Sequence, residues 1–151
     1  MKRFTTLVGI CFAVLTAPAA FALPNPYSVN CANLGGSTQN LNAAAGQAGF
    51  CRFGRAMINE RTLYDATRAL TTVDAVQTYL RHPNLTVGIN GNPASLYCGA
   101  VGGSTLAFTD DAGNAVGICS FSDGSSIEEW TLYRGPSDST NSRLTAVLVP
   151  Q

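Results

Sequence analysis

Two stretches of the chain are nearly the same text, 67 positions apart. NPYSVNCANLGGST occupies residues 25–38 and NPASLYCGAVGGST occupies residues 92–105. The match continues downstream. AGQAGFCRF (45–53) answers AGNAVGICSF (112–121), and INERTLY (58–64) answers IEEWTLY (127–133), with the offset drifting only from 67 to 69. Three matches in the same order mark an internal duplication. Each copy is roughly 45 residues long, a size at which one apolar core is marginal without a staple or a partner.

The duplication bears directly on the cysteines. Of five in the chain, Cys11 lies in the leader and four remain: Cys31, Cys51, Cys98 and Cys119. An even count in an oxidising compartment reads as disulfides. Three pairings are open in principle. Each copy holds two cysteines at equivalent places, so bonds within each copy, Cys31–Cys51 and Cys98–Cys119, let both fold alike. A zinc site does not suit them. They stand about 20 residues apart, not in close pairs, and the only histidine, His82, is distant in sequence from all four.

The oxidising compartment is itself an inference from the first 22 residues. Lys2 and Arg3 precede a short apolar run, and Ala20-Phe21-Ala22 offers small residues where a signal peptidase reads. The run is too short for a spanning helix. Cys11 follows Ile10, not a small residue, so a lipoprotein cleavage is not expected. Cleavage before Leu23 leaves seven arginines against nine acidic residues. A chain so balanced carries no basic surface for nucleic acid. Charge is uneven between the halves: residues 23–89 are net +2 and residues 90–151 net −4, which predicts that the two units attract and dock.

The local code predicts a small α+β fold of two repeated helix–β-hairpin–helix units. In the second copy Asn92 caps a helix and Pro93 opens it. Leu96, Tyr97 and Val101 supply apolar contacts, and Gly102-Gly103 stops the helix. STLAFTD and AVGICSF read as a hairpin around the turn DAGN. Ser125 and Ser126 each stand three residues before a glutamate, Glu128 and Glu129, a doubled capping-box pattern for a second helix. That helix is expected to bury Ile127, Trp130 and either Leu132 or Tyr133. In the first copy residues 55–70 read as one longer helix, whose face through Met57, Leu63 and Leu70 is packing material. Thr72 is a plausible cap for a linking helix that ends at His82 before Pro83. The tail reads as loop and then strand. The expected divisions are a signal peptide (1–22), a first unit (23–70), a helical linker (71–90), a second unit (91–136) and a tail (137–151).

Candidate chemistry is sparse. His82 at a helix end suits capping and the helix dipole. Adjacent Glu128 and Glu129 point different ways on a helix and suit capping better than an acid–base pair. Asp110, Asp111 and Asn114 suit a hairpin turn better than a calcium loop. No catalytic constellation, metal site or cofactor motif is expected.

The second copy resembles a small bacterial family, domain of unknown function 333, whose members often carry the label "hemolysin". The resemblance rests on Asn92-Pro93-Ala94-Ser95, Cys98, Gly102-Gly103, Gly117, Cys119, Phe121, Asp123-Gly124, Glu128-Glu129-Trp130 and Arg134-Gly135. The first copy is a diverged second instance. The family often has two further cysteines, where this chain has Ile127 and Pro136. Losing both together implies that they bond each other, which leaves the pairing within each copy unchanged. The leader implies an exported, periplasmic or extracellular protein. Analogy with other small stapled duplicated domains, with no catalytic constellation in the sequence, leads to the expectation of a non-enzymatic module that binds a protein or an envelope component. The family label supplies the alternative of a membrane-active factor. Lysis calls for a long amphipathic element or a large apolar patch, and the short helices here are needed for packing.

Overall fold

The computed structural model describes residues 23–68 and 72–149; the expected signal peptide, Leu70 and the chain end lie outside the described residues. Each unit begins with a helix, α1 (Pro26–Asn33) in the first and α4 (Pro93–Ala100) in the second. Asn25 and Asn92 cap them, each side chain accepting an N–H two residues on, and proline follows as the first helical residue. A hairpin comes next: β1 (Ser37–Ala43) with β2 (Gly46–Phe53), and β4 (Ser104–Thr109) with β5 (Ala115–Ser120). The α+β class and the two disulfide-stapled units are as expected.

Each unit has one strand more than the sequence reading placed. Residues 55–70 do not form a single helix: β3 (Ala56–Asn59) precedes α2 (Glu60–Thr67). In the second unit β6 (Ser126–Glu128) precedes α5 (Glu129–Arg134). The extra strands join the two copies. β3 pairs with β6 through Ile58 and Ile127, β1 meets β4 at Asn42 and Thr109, and the six strands close a barrel in the order β1-β2-β3-β6-β5-β4. Closure leaves no long free sheet edge for another chain to pair with.

The seam is stitched reciprocally. The Met57 N–H donates to Thr131 Oγ1 at 3.0 Å, and the Ser126 N–H donates to Thr62 Oγ1 at 2.9 Å. Met57 and Ser126 are 69 apart, as are Thr62 and Thr131, so the two bonds are copies related by a pseudo-twofold axis. Both threonines are buried. The one ion pair described, Arg61–Asp65, lies within α2.

Alternation along the strands sorts the core into two layers. Leu41, Phe50, Met57 and Ile118 face inward and fill the barrel. Residues of the other parity, among them Cys51, Phe53, Ile58, Cys119 and Ile127, face outward under the helices. A barrel this small is a packed core, not a channel.

Two other expectations are corrected. Thr72 does not cap the linking helix α3 (Asp74–Arg81); Val73 holds the cap position, and the caps arrive from the second unit. Asp123 Oδ2 accepts the Asp74 N–H at 2.7 Å, and Ser125 Oγ accepts the Ala75 N–H at 2.9 Å. His82 ends that helix in a left-handed conformation (φ 38°), its Nε2 2.9 Å from the Tyr133 carbonyl. The tail is a 3-10 turn (Ser139–Asn141) and a helix, α6 (Ser142–Leu148), not loop and strand. Leu144 and Leu148, one turn apart, bury against the core. Asn141 anchors the entry by donating from Nδ2 to the carbonyls of Thr131 and Gly135.

Stability follows pH in opposite senses at two carboxyls. Burial pushes the Asp123 carboxyl up, but N–H and hydroxyl donors from Asp74 and Ser125 outweigh it and hold the group below its ordinary 3.8. A folded value below the unfolded one stabilises the fold above pH 3.8, and that contribution is lost as pH falls through the folded value. The stability gap between the parent and Asp123→Asn, measured by urea unfolding from pH 7 to pH 2, is expected to close at the acid end of this range.

Candidate functional site

The motif residues of the second unit do separate jobs, and two of those jobs explain glycines. Gly102 takes φ +89° and ends α4, while the Gly103 N–H reaches back to the Cys98 carbonyl at 2.9 Å. This is a Schellman close, repeated by Gly35 and Gly36 in the first unit. A methyl on Gly103 would run into both sulfurs of the Cys98–Cys119 disulfide, and one on Gly36 into those of Cys31–Cys51. The glycine pair ends the helix and leaves room for the staple. Gly117 makes room of a second kind: a methyl there would strike the Glu129 carboxyl, as one on Gly49 would strike that of Glu60.

Glu60 and Glu129 open α2 and α5 and are equivalent across the repeat. Both are buried. The Ser28 hydroxyl donates to Glu60 Oε2 at 2.8 Å, and the Ser95 hydroxyl donates to Glu129 Oε2 at 2.6 Å. The copies then diverge. In the first unit the Thr38 hydroxyl donates to Glu60 Oε1 at 2.6 Å. In the second unit Thr105 holds the matching position, but Glu129 Oε1 is buried without a partner. A buried acceptor left unpaired costs about 1–3 kcal/mol.

Glu129 lines a cleft of about 450 Å³. The second unit contributes Asn92, Ser95, Thr105, Gly117, Glu128, Trp130 and Arg134; the first contributes Gln39, Arg52, Arg55 and Met57. Seven of the motif residues singled out from sequence therefore meet in one place: Asn92, Ser95, Gly117, Glu128, Glu129, Trp130 and Arg134. The others do not. Pro93 starts α4, Gly102 and Gly103 flank the disulfide, and Asp123 and Gly124 form the turn that caps α3.

Trp130 was expected in the core and is not there: it is 38% exposed. Its ring meets Tyr133 edge-on at 5.7 Å, and the Arg134 guanidinium lies 5.4 Å from the ring centroid. Leu96, likewise expected to pack, is 36% exposed. The repeat held the missed signal. The position equivalent to Trp130 in the first unit is Arg61, whose side chain is 74% exposed.

The doubled capping box is also corrected. Ser126 is in β6, and Ser125 serves α3. Glu128 itself caps α5, accepting the N–H groups of Trp130 (2.9 Å) and Thr131 (2.7 Å) and the Thr131 hydroxyl (2.8 Å). Burial pushes the Glu128 carboxyl above its ordinary 4.5, against those donors and the charge of Arg134. The sign is opposite to that of Asp123. Folding favours the protonated form, so this contribution is full below pH 4.5 and is lost as pH rises through the folded value. Glu128→Gln, compared with the parent by thermal unfolding, is expected to improve relative to it as pH rises from 4 to 8. Asp110 accepts from Ala112 and Asn114 and closes the β4–β5 turn, as read from sequence.

A pseudo-twofold barrel of two disulfide-stapled units, with a cleft at one helix start, defines a class of small stapled domain. The family described as Domain of unknown function (DUF333) matches the chain twice, over residues 22–67 and 90–136, and the chain belongs to it. The two matched segments are the two halves of the barrel. No curated protein and no solved structure matches the chain.

Proposed function

We propose that the protein is an exported, non-enzymatic binding module that receives a segment of a protein or of an envelope component in the cleft beside Trp130. One observation carries this reading: the only tryptophan of the chain stands half-exposed on the cleft rim, braced by Tyr133 and Arg134. Tryptophan, tyrosine and arginine are the side chains on which binding energy concentrates. Two disulfides suit an oxidising, exported location. Among the described residues no group of side chains is arranged to hold a metal ion, and no helix is long and apolar enough to cross a membrane.

Capture from envelope extract with the parent and with Trp130→Ala tests the reading. Loss of an anchor of this kind weakens binding by about 2 kcal/mol or more, some 30-fold. The fold is expected to hold, because the ring is not in the core. Equal capture by both proteins contradicts the proposal. Strong dye release from liposomes without a protein partner would replace it with the membrane-active alternative.

A further inference from the structure

We infer that the cleft recognises a short peptide through both of its charged ends, with the terminal ammonium on Glu129 and the terminal carboxylate on Arg55 and Arg134. This deepens the proposed binding role and rests on it. The inference comes from asking which polar groups of the cleft are already spent. Glu128 is spent capping α5, and Asp110 is spent in its turn. Asn92 Oδ1 accepts the Ala94 N–H. Arg52 donates to Gln39 Oε1 and to the Gly54 carbonyl.

Three charged groups remain. Glu129 Oε1 is buried and unpartnered in a residue only 1% exposed. Arg55 and Arg134 line the same cleft, and neither makes a hydrogen bond or an ion pair to a side chain among the described residues. One unfilled acceptor and two unfilled guanidiniums call for a ligand that carries a donor and an anion together. A guanidinium fork matches a carboxylate. Stacking on Trp130 holds the Arg134 fork in place before a ligand arrives.

The first unit supplies an internal control. There Thr38 closes the equivalent carboxyl, and Arg61 and Asp65 stand where Trp130 and Arg134 stand in the second unit. Duplication thus left one copy self-satisfied and the other open. Ammonium is favoured over a sugar hydroxyl as the donor because a charge-assisted bond best offsets the cost of the covered oxygen.

Trp130 is the only tryptophan, so fluorescence excited selectively in tryptophan, and not in the tyrosines, reports this cleft. The oxidised protein is titrated with trialanine, N-acetyl-trialanine, trialanine amide, free alanine and glucuronate. Trialanine is expected to give a saturable change, and blocking either end to weaken it at least about tenfold, one charge-assisted hydrogen bond's worth. Free alanine matching trialanine makes the source a free amino acid; a weaker response makes it a short peptide with both ends engaged. Glu129→Gln should erase the penalty for acetylation, and Arg55→Gln the penalty for amidation. Thermal unfolding checks that Glu129→Gln folds, and exposed Arg55 gives a second variant that does not depend on the core.

The inference is overturned if the blocked peptides bind as well as the free one, or if glucuronate alone binds. It is also overturned if nothing responds at about 10 mM, where even a millimolar Kd would show. Failure of the wider binding role reads differently, as capture from envelope extract that Trp130→Ala leaves unchanged.

Discussion

Replacing Cys98 and Cys119 by serine is expected to lower the unfolding free energy by about 3.3 kcal/mol, the loop-entropy contribution of a staple closing some 20 residues. The bond spans 21 positions and ties α4 to β5. The matching pair, Cys31 and Cys51, spans 20 and ties α1 to β2. The two losses should be nearly equal, because the loops are nearly equal. All four cysteines are fully buried, so two serines in their place also leave polar groups under the helices, and the loss is not expected to be smaller. Because the six strands form one closed barrel, losing one staple should shift a single transition for the whole chain. Urea unfolding followed by Trp130 fluorescence and by far-ultraviolet circular dichroism measures this. If the two probes separate, with one half melting before the other, the barrel does not couple the units.

The double variant Thr62→Val, Thr131→Val is the second large effect. Each valine keeps the shape and removes the hydroxyl that accepts a backbone N–H from the opposite unit. Each buried N–H left unpaired costs about 1–3 kcal/mol. The pair should therefore cost about 2–6 kcal/mol and rank with a disulfide. Thr131→Val should be the costlier single change, since that hydroxyl also donates to Glu128 Oε2. Denaturant midpoints of the two single variants and the double variant give the coupling between them. A total below about 0.5 kcal/mol, the range of ordinary surface changes, would mean that the β3–β6 seam is held by something else.

What was legible in the sequence was local. The asparagine–proline start, the glycine pair after each first helix and the cysteines between them are encoded within a few residues, and they fold as read. The units, their disulfides and the first hairpins follow from that. The strands that join the copies were not legible, because β3 and β6 have four and three residues. Strands so short show no usable alternation, and their partners lie in the other copy. The serine–glutamate spacing before α5 had two local solutions, and the tertiary fold took the second: a glutamate cap, with Ser125 turned to α3. RLTAVLV is rich in branched residues and reads as a strand, but Leu144 and Leu148 bury only as a helix. Trp130 was misplaced because a lone tryptophan on a short helix defaults to core. Comparison with Arg61 across the repeat places that position at the surface. The free oxygen of Glu129 was beyond the sequence, since Thr38 and Thr105 are the same residue in both copies.

Hydrogen exchange on the oxidised protein, with and without an envelope fraction enriched on it, tests the central claim that the Trp130 cleft is the binding face. Protection is expected in α5, in the β4–β5 hairpin and in the turn carrying Arg55, and not in the β1–β2 hairpin tip around Ala43 and Gly46. Protection confined to the first unit, or none anywhere while dye leaks from liposomes, would contradict it.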